Sequence, residues 1–135
     1  MNKVELRKIK TFNTLERGQL SALEELDFPF PVKRIFWITG VEALAERGKH
    51  GHKYGQQFIV PMNGMAMIHS FGPGLESKHH RLSDPSEGLY VPAMHWLNIR
   101  FVMNKSALLV LASNPYSEDD YIRNWDDYVK LACSI

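Results

Sequence analysis

Residues 50–64 read HGHKYGQQFIVPMNG, and this stretch sets the main expectations for the chain. Successive side chains of a β-strand point to opposite faces, so His50 and His52 are expected to project together. An imidazole pair of this kind either holds a metal ion or moves protons near neutral pH. The third interpretation is two histidines on a solvated strand face. The surrounding sequence has to decide among the three.

The second half of the same stretch favours paired strands. Gln57–Met62 and Met65–Ser70 are strand-like segments on either side of Asn63-Gly64. Asn-Gly is the strongest short-range signal for a two-residue hairpin turn. The sequence therefore predicts a β-hairpin directly after the histidine pair.

Similar short segments, separated by turn residues, recur along the chain, as in sandwiches and barrels. They are Val4–Ile9, Val32–Ile38, Leu89–Val91, Leu97–Met103 and Ala107–Ala112. None of the intervals accommodates the helical crossovers that a parallel sheet needs. The sequence predicts an all-β fold, an antiparallel barrel or sandwich, as a single domain over residues 1–135.

Two segments favour a helix. Gln19–Leu26 fits a turn or two of helix, although Leu23–Leu26 fits a strand and a loop equally well. Ser117–Leu131 begins with a good N-cap residue, Ser117, followed by three acidic residues in the first turn, where the helix dipole favours them. We therefore expect a short C-terminal helical tail.

Composition excludes several classes of protein. Of 135 residues, 44% are hydrophobic and 23% are charged, with a net charge of +1, which is close to an average globular domain. Without a basic face, nucleic acid binding is not expected. The single cysteine, Cys133, suits a reducing compartment, and Met1–Lys10 lacks the apolar core of a signal peptide. The longest apolar run, Ala107–Ala112, is too short to span a bilayer, so a cytoplasmic protein without a membrane segment is expected.

The histidine pair has the spacing of a metal motif but lacks some of its ligands. Cupins, which are small β-barrels, carry His-x-His followed by Glu and then Gly, and here Gln57 stands at the carboxylate position. Their second motif supplies another histidine, and here that residue is Leu97. An amide is a weak neutral donor and a leucine is none. Although His95 shares the strand face of Leu97 and stays an alternative donor, we expect no bound metal and no cofactor.

Acid–base chemistry is the use that remains for the two imidazoles. An imidazole with a pKa of about 6.5 accepts and returns a proton at neutral pH. A second imidazole on the same face orients the first one or relays the proton. A barrel interior provides the partly desolvated pocket that such chemistry requires.

Several motifs together resemble one family, the sugar-nucleotide 3,4-ketoisomerases. The resemblance runs from about Phe12 to Tyr128 and rests on the motifs Glu16–Gly18, Lys33–Phe36, Arg47–Gln57, Gly88–Pro92, Leu108–Ser113, Pro115-Tyr116 and Asp119–Arg123. It implies a dimeric, metal-independent cupin that moves the carbonyl of dTDP-4-keto-6-deoxyglucose from C4 to C3. The 3-keto product then feeds a 3-aminotransferase in deoxyamino-sugar and glycan biosynthesis.

The resemblance also implies roles for individual residues. His50 is expected to be the general base that removes the C3 proton, with His52 as its partner. Arg47 is expected to neutralise the diphosphate or the developing oxyanion. Gln57 is expected to bind a sugar hydroxyl or to fix an imidazole tautomer.

Arg17 and Trp37 are two further candidates for substrate binding. Arg17 lies in a loop that reaches the active site in the family. Trp37 stands where the family more often has tyrosine, and its indole N–H donates a hydrogen bond but is neither an acid nor a base. Leu97 replaces an arginine or histidine that often follows the tryptophan at position 96.

Three alternative functions remain open at this point. A keto-sugar-nucleotide epimerase needs a base and a separate acid, for which Tyr54 or Tyr90 are the candidates. A non-catalytic sugar-binding cupin agrees with Leu97 and Trp37. A metal-dependent oxygenase is opposed by the missing ligands.

Overall fold

The computed structural model describes residues 3–134, and for Leu26 the backbone only. Twelve strands are described, in chain order: β1 Glu5–Lys8, β2 Lys10–Thr14, β3 Gly18–Ala22, β4 Arg34–Ile38, β5 Glu46–His52, β6 Gln57–Asn63, β7 Ala66–Phe71, β8 Ser77–Leu82, β9 Glu87–Val91, β10 Trp96–Phe101, β11 Ala107–Ala112 and β12 Tyr121–Ile122. Short 3-10 turns cover Glu25–Asp27, Pro73–Leu75 and Glu118–Asp120, and one α-helix, α1, covers Trp125–Cys133.

Two five-stranded antiparallel sheets form the body of the protein. The first sheet has the order β1-β9-β6-β11-β4 and the second the order β12-β5-β10-β7-β8. Their facing sides supply one buried apolar cluster, to which the first sheet contributes Ile59, Leu89 and Val110, and the second Ile68 and Leu97. Because side chains alternate along each strand, one face of each sheet fills this interior. The predicted all-β antiparallel fold is confirmed.

The predicted hairpin at Asn63-Gly64 does not form. Strands β6 and β7 flank this turn, but they belong to different sheets. Gly64 has φ +72°, and a Cβ atom there would lie 2.3 Å from Ser106 Oγ, so only glycine fits. The dipeptide marks a corner at which the chain crosses from the first sheet to the second.

The predicted short C-terminal helix is confirmed but begins later than expected, and the helical interpretation of Gln19–Leu26 is wrong. Residues 19–22 lie in β3, and only a 3-10 turn follows at Glu25–Asp27. The predicted helix from Ser117 begins only at Trp125, with Asn124 as its N-cap, whose side chain accepts a hydrogen bond from the Asp127 amide. Ser117 makes no side-chain cap. The chain ahead of α1 is pulled into the second sheet as β12, and that pairing outweighs the local helix signal.

Strands β2 and β3 form a hairpin of their own. Within residues 3–134 this hairpin pairs with neither large sheet. Phe12, Leu15 and Leu20 on it are exposed. The hairpin therefore leaves apolar surface uncovered on an isolated chain.

No helix in the described part of the chain is long and apolar enough to cross a membrane.

Candidate active site

A β-bulge in β5 aims the first histidine. On β10, Leu97 lies opposite His50 and Asn98 lies opposite Gly48, so Lys49 is the extra residue. Gly48 has φ +86°, and a Cβ atom there would lie 2.8 Å from the Leu97 carbonyl oxygen. The bulge therefore requires glycine, and it turns His50 to the side of Leu97, which is a core residue.

The two imidazoles are neighbours, as the alternation predicted. The ring centroids of His50 and His52 lie 5.1 Å apart, in an edge-to-face arrangement. His50 Nδ1 lies 3.0 Å from the Gly48 carbonyl oxygen. A carbonyl only accepts, so Nδ1 carries the proton of the neutral ring and Nε2 has the free lone pair. His50 thus presents one basic nitrogen in a fixed direction.

Both imidazoles are held in the neutral form. Burial lowers the pKa of His50 below its ordinary value, and the charges of Arg123 and Arg47 lower it further, against the effect of the Gly48 carbonyl. Burial, followed by the charge of His50, lowers the pKa of His52 to about 4. At neutral pH both rings are therefore available as proton acceptors.

A segment near the C-terminus, residues 115–123, covers the pair, and we call it the strap. Its Tyr121 ring lies 4.5 Å from the His52 ring and 5.0 Å from the His50 ring, between centroids. The Arg123 guanidinium lies 4.3 Å from the centre of the Tyr121 ring. Glu118 Oε1 accepts a hydrogen bond from Arg123 Nε at 2.5 Å, and Oε2 accepts one from Nη2 at 2.9 Å.

Asp120 fastens the strap to the turn that follows His52. Its carboxylate accepts hydrogen bonds from the backbone amides of Tyr54 at 2.7 Å and Gly55 at 3.2 Å. Its backbone carbonyl accepts one from the Lys53 amide at 2.9 Å. Asp120 is a buried acid whose polar atoms are satisfied by these contacts.

The first sheet contributes the opposite wall of the site. Gln57 on β6 is 7% exposed and lines the same narrow cleft as His52, Tyr121 and Arg34. The Arg34 guanidinium on β4 lies 4.4 Å from the centre of the Phe36 ring and 5.1 Å from that of Tyr116. Residues from both sheets and from the strap therefore meet at the histidine pair.

Two other predicted site residues, Arg47 and Trp37, are exposed. Arg47 is exposed on β5, and its charge reaches His50. Trp37 is 68% exposed and lies on the outer face of the first sheet. The alternation along β4 turns its neighbour Phe36 towards the interior instead, where Phe36 packs on the core. The structure therefore does not bring Trp37 to the histidine pair of its own chain.

Arg17 is also remote from the pair in its own chain. It lies in the turn between β2 and β3, where its backbone amide donates to Thr14 Oγ1 at 3.2 Å. That hairpin stands apart from both large sheets.

Six residues of the cover were not predicted as site residues: Arg34, Tyr116, Glu118, Asp120, Tyr121 and Arg123. All but Glu118 lie within the motifs that carry the family resemblance, and the acidic run after Ser117 was instead interpreted as the start of a helix. Their clustering depends on contacts between segments more than sixty residues apart, as between Tyr54 and Asp120, and local patterns do not encode such contacts.

Leu97 and His95, at or near the position of the remaining cupin metal ligand, make other contacts. Leu97 is 3% exposed and belongs to the core. The ring of His95 packs against Gly72, and its Nδ1 donates to the Ala93 carbonyl at 3.0 Å. Within residues 3–134, histidine, cysteine and acidic side chains form no group of three or more that could hold a metal ion. The donor set therefore does not fit a cupin metal centre.

Two neighbouring neutral imidazoles between the sheets of an antiparallel β-barrel define a cupin-type site. The family described as "FdtA: WxcM-like, C-terminal" matches residues 2–133. A curated relative, the TDP-4-oxo-6-deoxy-alpha-D-glucose-3,4-oxoisomerase of Aneurinibacillus thermoaerophilus, is 34% identical over 120 residues, 88% of this chain and 86% of the relative.

Solved structures agree with that match. The 3,4-ketoisomerase QdtA from Thermoanaerobacterium thermosaccharolyticum, as a histidine-to-asparagine mutant in complex with TDP-4-keto-6-deoxyglucose, is 38% identical with a TM-score of 0.90, over 98% of this chain and 95% of that one. A 3,4-ketoisomerase from Helicobacter canadensis is 32% identical with a TM-score of 0.90, over 98% of both chains. The chain belongs to this WxcM-like family, and the predicted resemblance to the sugar 3,4-ketoisomerases is confirmed.

Proposed function

We propose that this enzyme is a TDP-sugar 3,4-ketoisomerase, which converts TDP-4-keto-6-deoxyglucose into a TDP-3-keto-6-deoxyhexose. The observation that carries the proposal is the pair of neutral imidazoles, one with a free Nε2, covered and partly desolvated at the barrel end. The family supports the substrate class, because its relatives act on TDP-4-oxo-6-deoxyglucose or bind TDP-4-keto-6-deoxyglucose.

His50 Nε2 is the base in the proposed mechanism. It takes the C3 proton, the C3–H electrons form a C3–C4 double bond, and the C4 carbonyl oxygen takes up charge and then a proton. The resulting enediol loses its C3 hydroxyl proton and receives a proton at C4, which leaves a carbonyl at C3. The atoms balance without any oxidant, since one proton leaves C3 and one arrives at C4.

His52, Gln57 and Arg47 stabilise the charges that develop on the base and the substrate in this proposal. His52 holds or relays the proton next to His50, because its ring lies in edge-to-face contact with the base. Gln57 lines the cleft beside His52 and donates to a sugar oxygen. Arg47 offsets negative charge on the diphosphate or on the enediolate.

The protein acts as a homodimer in this proposal. Trp37, Ile35, Val32 and Leu20 leave large apolar side chains exposed on the outer face of the first sheet and on the hairpin. Such a surface is covered in a stable protein, and a second copy of the chain is a suitable cover. In that arrangement the hairpin of one copy brings Arg17, and the outer sheet face brings Trp37, to the partner's site.

Three finer points stay predictions. They are the single-domain organisation over residues 1–135, the cytoplasmic location and the 3-aminotransferase that consumes the product.

Proton NMR in heavy water tests the reaction directly. The purified protein is incubated with TDP-4-keto-6-deoxyglucose, and we expect deuterium to enter at C4 as the C3 proton signal disappears. Exchange at C3 or C5 with the ketone kept at C4 would show an epimerase instead. A protein that binds the nucleotide sugar but exchanges no hydrogen would be a non-catalytic sugar-binding cupin.

A further inference from the structure

The proposed mechanism leaves the strap, residues 115–123, without a role, although it makes the closest cover of the base. One aromatic ring, Tyr121, contacts both imidazoles, with centroid distances of 4.5 Å and 5.0 Å. Strand β12 pairs with the end of β5 in the register Tyr121 opposite His52. The ring is therefore placed by the backbone over the pair, and it excludes water from that side.

A side-chain network holds the ring from outside. Glu118 accepts a two-pronged hydrogen bond from Arg123 and a hydrogen bond from the Tyr116 hydroxyl at 2.5 Å. The Arg123 guanidinium lies on the Tyr121 ring, and the Tyr116 ring lies 5.6 Å from it, between centroids. An exposed ion pair contributes little to folding stability, but a bidentate arginine–carboxylate pair fixes the orientation of both side chains. Its geometry therefore fits a positioning role better than a stabilising one.

We propose that Tyr121, Arg123 and Glu118 are positioning residues of the ketoisomerase reaction, which hold an aromatic cover on the His50–His52 base pair. The inference rests on the proposed function for its kinetic part only. Glu118 and Arg123 act through Tyr121, and Tyr121 acts by contact with the two imidazoles.

The physical effect of the cover is desolvation. Burial is the largest cause that lowers the pKa of both His50 and His52. The charges that face His50 are Arg123 and Arg47, which lower its pKa, and Glu118, which raises it. His52 faces His50, Asp120, Arg34 and Arg123, of which only the Asp120 carboxylate raises its pKa. Loosening the cover admits water and returns both pKa values towards the ordinary 6.5.

The variant Glu118→Gln distinguishes a positioning role of Glu118 from a direct effect of its charge on the pKa of His50. Removal of its carboxylate by Glu118→Gln takes a negative charge away from His50, and this change alone lowers the pKa of His50. If Glu118 holds the cover in place, the same substitution releases Arg123 and Tyr121, and the pKa of His50 rises. The two explanations therefore predict shifts of opposite sign.

NMR titration of 15N-histidine-labelled protein without substrate measures these pKa values. Arg123→Lys keeps the positive charge but loses the bidentate hydrogen bond to Glu118. For this variant and for Glu118→Gln we expect the pKa of His50 to rise by about half a unit or more. Tyr121→Ala should raise it further, whereas Tyr121→Phe keeps the ring and the wild-type value. Glu5→Gln is the matched control, because it breaks a similar 2.7 Å ion pair with Arg7 in another part of the surface.

Kinetics on the same variants gives a second measurement. The acidic limb of kcat/KM should move upward together with the measured pKa, and kcat should fall about tenfold in Tyr121→Ala while KM stays within about twofold. A fall or no change in the pKa of His50 in Glu118→Gln and Arg123→Lys would overturn the inference. The titration needs no substrate, so it tests the position of the cover even if the wild-type protein isomerises no sugar. Failure of the proposed function and failure of this inference are therefore distinguishable.

Discussion

At the scale of single residues, one imidazole has a defined chemical state. The Gly48 carbonyl fixes the proton of His50 on Nδ1, and burial keeps the ring neutral at neutral pH. A general base needs both properties, a free lone pair and a known direction. The His52 ring contacts the His50 ring, and its pKa of about 4 keeps a second positive charge away from His50 at neutral pH.

Replacement of the base should abolish turnover without unfolding the protein. For His50→Asn we expect kcat to fall about a thousandfold, because an amide cannot accept the C3 proton. The affinity for TDP, measured by calorimetry, should change by less than about threefold. His69→Asn is the control, since His69 lies on β7 beside His79 and away from the cleft. Full residual turnover in His50→Asn would remove His50 from its role.

The same lowered pKa values predict how stability depends on pH. A histidine whose pKa is lower in the folded state binds fewer protons there, so acid favours the unfolded chain. The free energy of unfolding should therefore fall as the pH drops below the ordinary histidine pKa of 6.5. The shift of His52 from 6.5 to about 4 contributes about 2 kcal/mol of this loss between pH 7.5 and pH 5.

Urea unfolding followed by circular dichroism at several pH values measures the effect. The variant His52→Asn should show a shallower loss of stability in acid than the wild type. An equal pH dependence of the two proteins would mean that His52 titrates with an ordinary pKa in the folded state.

At the scale of elements, a single bulge decides where His50, the proposed base, points. If Lys49 took a regular place in β5 opposite Leu97, the alternation would turn His50 and His52 to the outer face of the second sheet. The bulge depends on Gly48, whose φ of +86° and close approach to Leu97 exclude a side chain. The strap then follows from β12, which pairs with the end of the bulged strand.

Substitution of the bulge glycine should therefore cost both stability and activity. For Gly48→Ala we expect a loss of about 3 kcal/mol, from the left-handed backbone and from the clash with the Leu97 carbonyl. Gly40→Ala is the matched control, because Gly40 also has a positive φ, +68°, but open space around it. That variant should lose about 1 kcal/mol and keep its turnover. Equal losses in the two variants would show that the bulge is not under steric constraint.

At the scale of the whole molecule, the outer face of the first sheet and the β2–β3 hairpin remain to be covered. Both carry exposed apolar side chains, although Phe28 and Phe30 cover part of the sheet face at Phe58 and Tyr90. The interior between the sheets is complete without them. The proposed dimer would therefore bury this surface, and the barrel itself does not depend on it for its core.

A charge on this face should separate the two copies. For Trp37→Glu we expect a monomer by light scattering at concentrations at which the wild type is a dimer, because an ionised carboxylate is costly to bury in an apolar interface. Met103→Glu places the same charge on an exposed apolar residue in the loop between β10 and β11 and should leave the dimer intact. A wild-type protein that is itself monomeric would contradict the proposed assembly.

The sequence by itself determined most strands of the two large sheets, the antiparallel class and the common facing of His50 and His52, because these depend on a two-residue period within short segments. It also supplied the family, whose motifs are local. Only the tertiary structure decided that Asn63-Gly64 is a corner between sheets, that Phe36 faces inward in place of Trp37, and that residues 117–123 cover the imidazoles instead of forming a helix. These outcomes depend on which distant strands pair, and that free energy outweighs the preferences of any single segment.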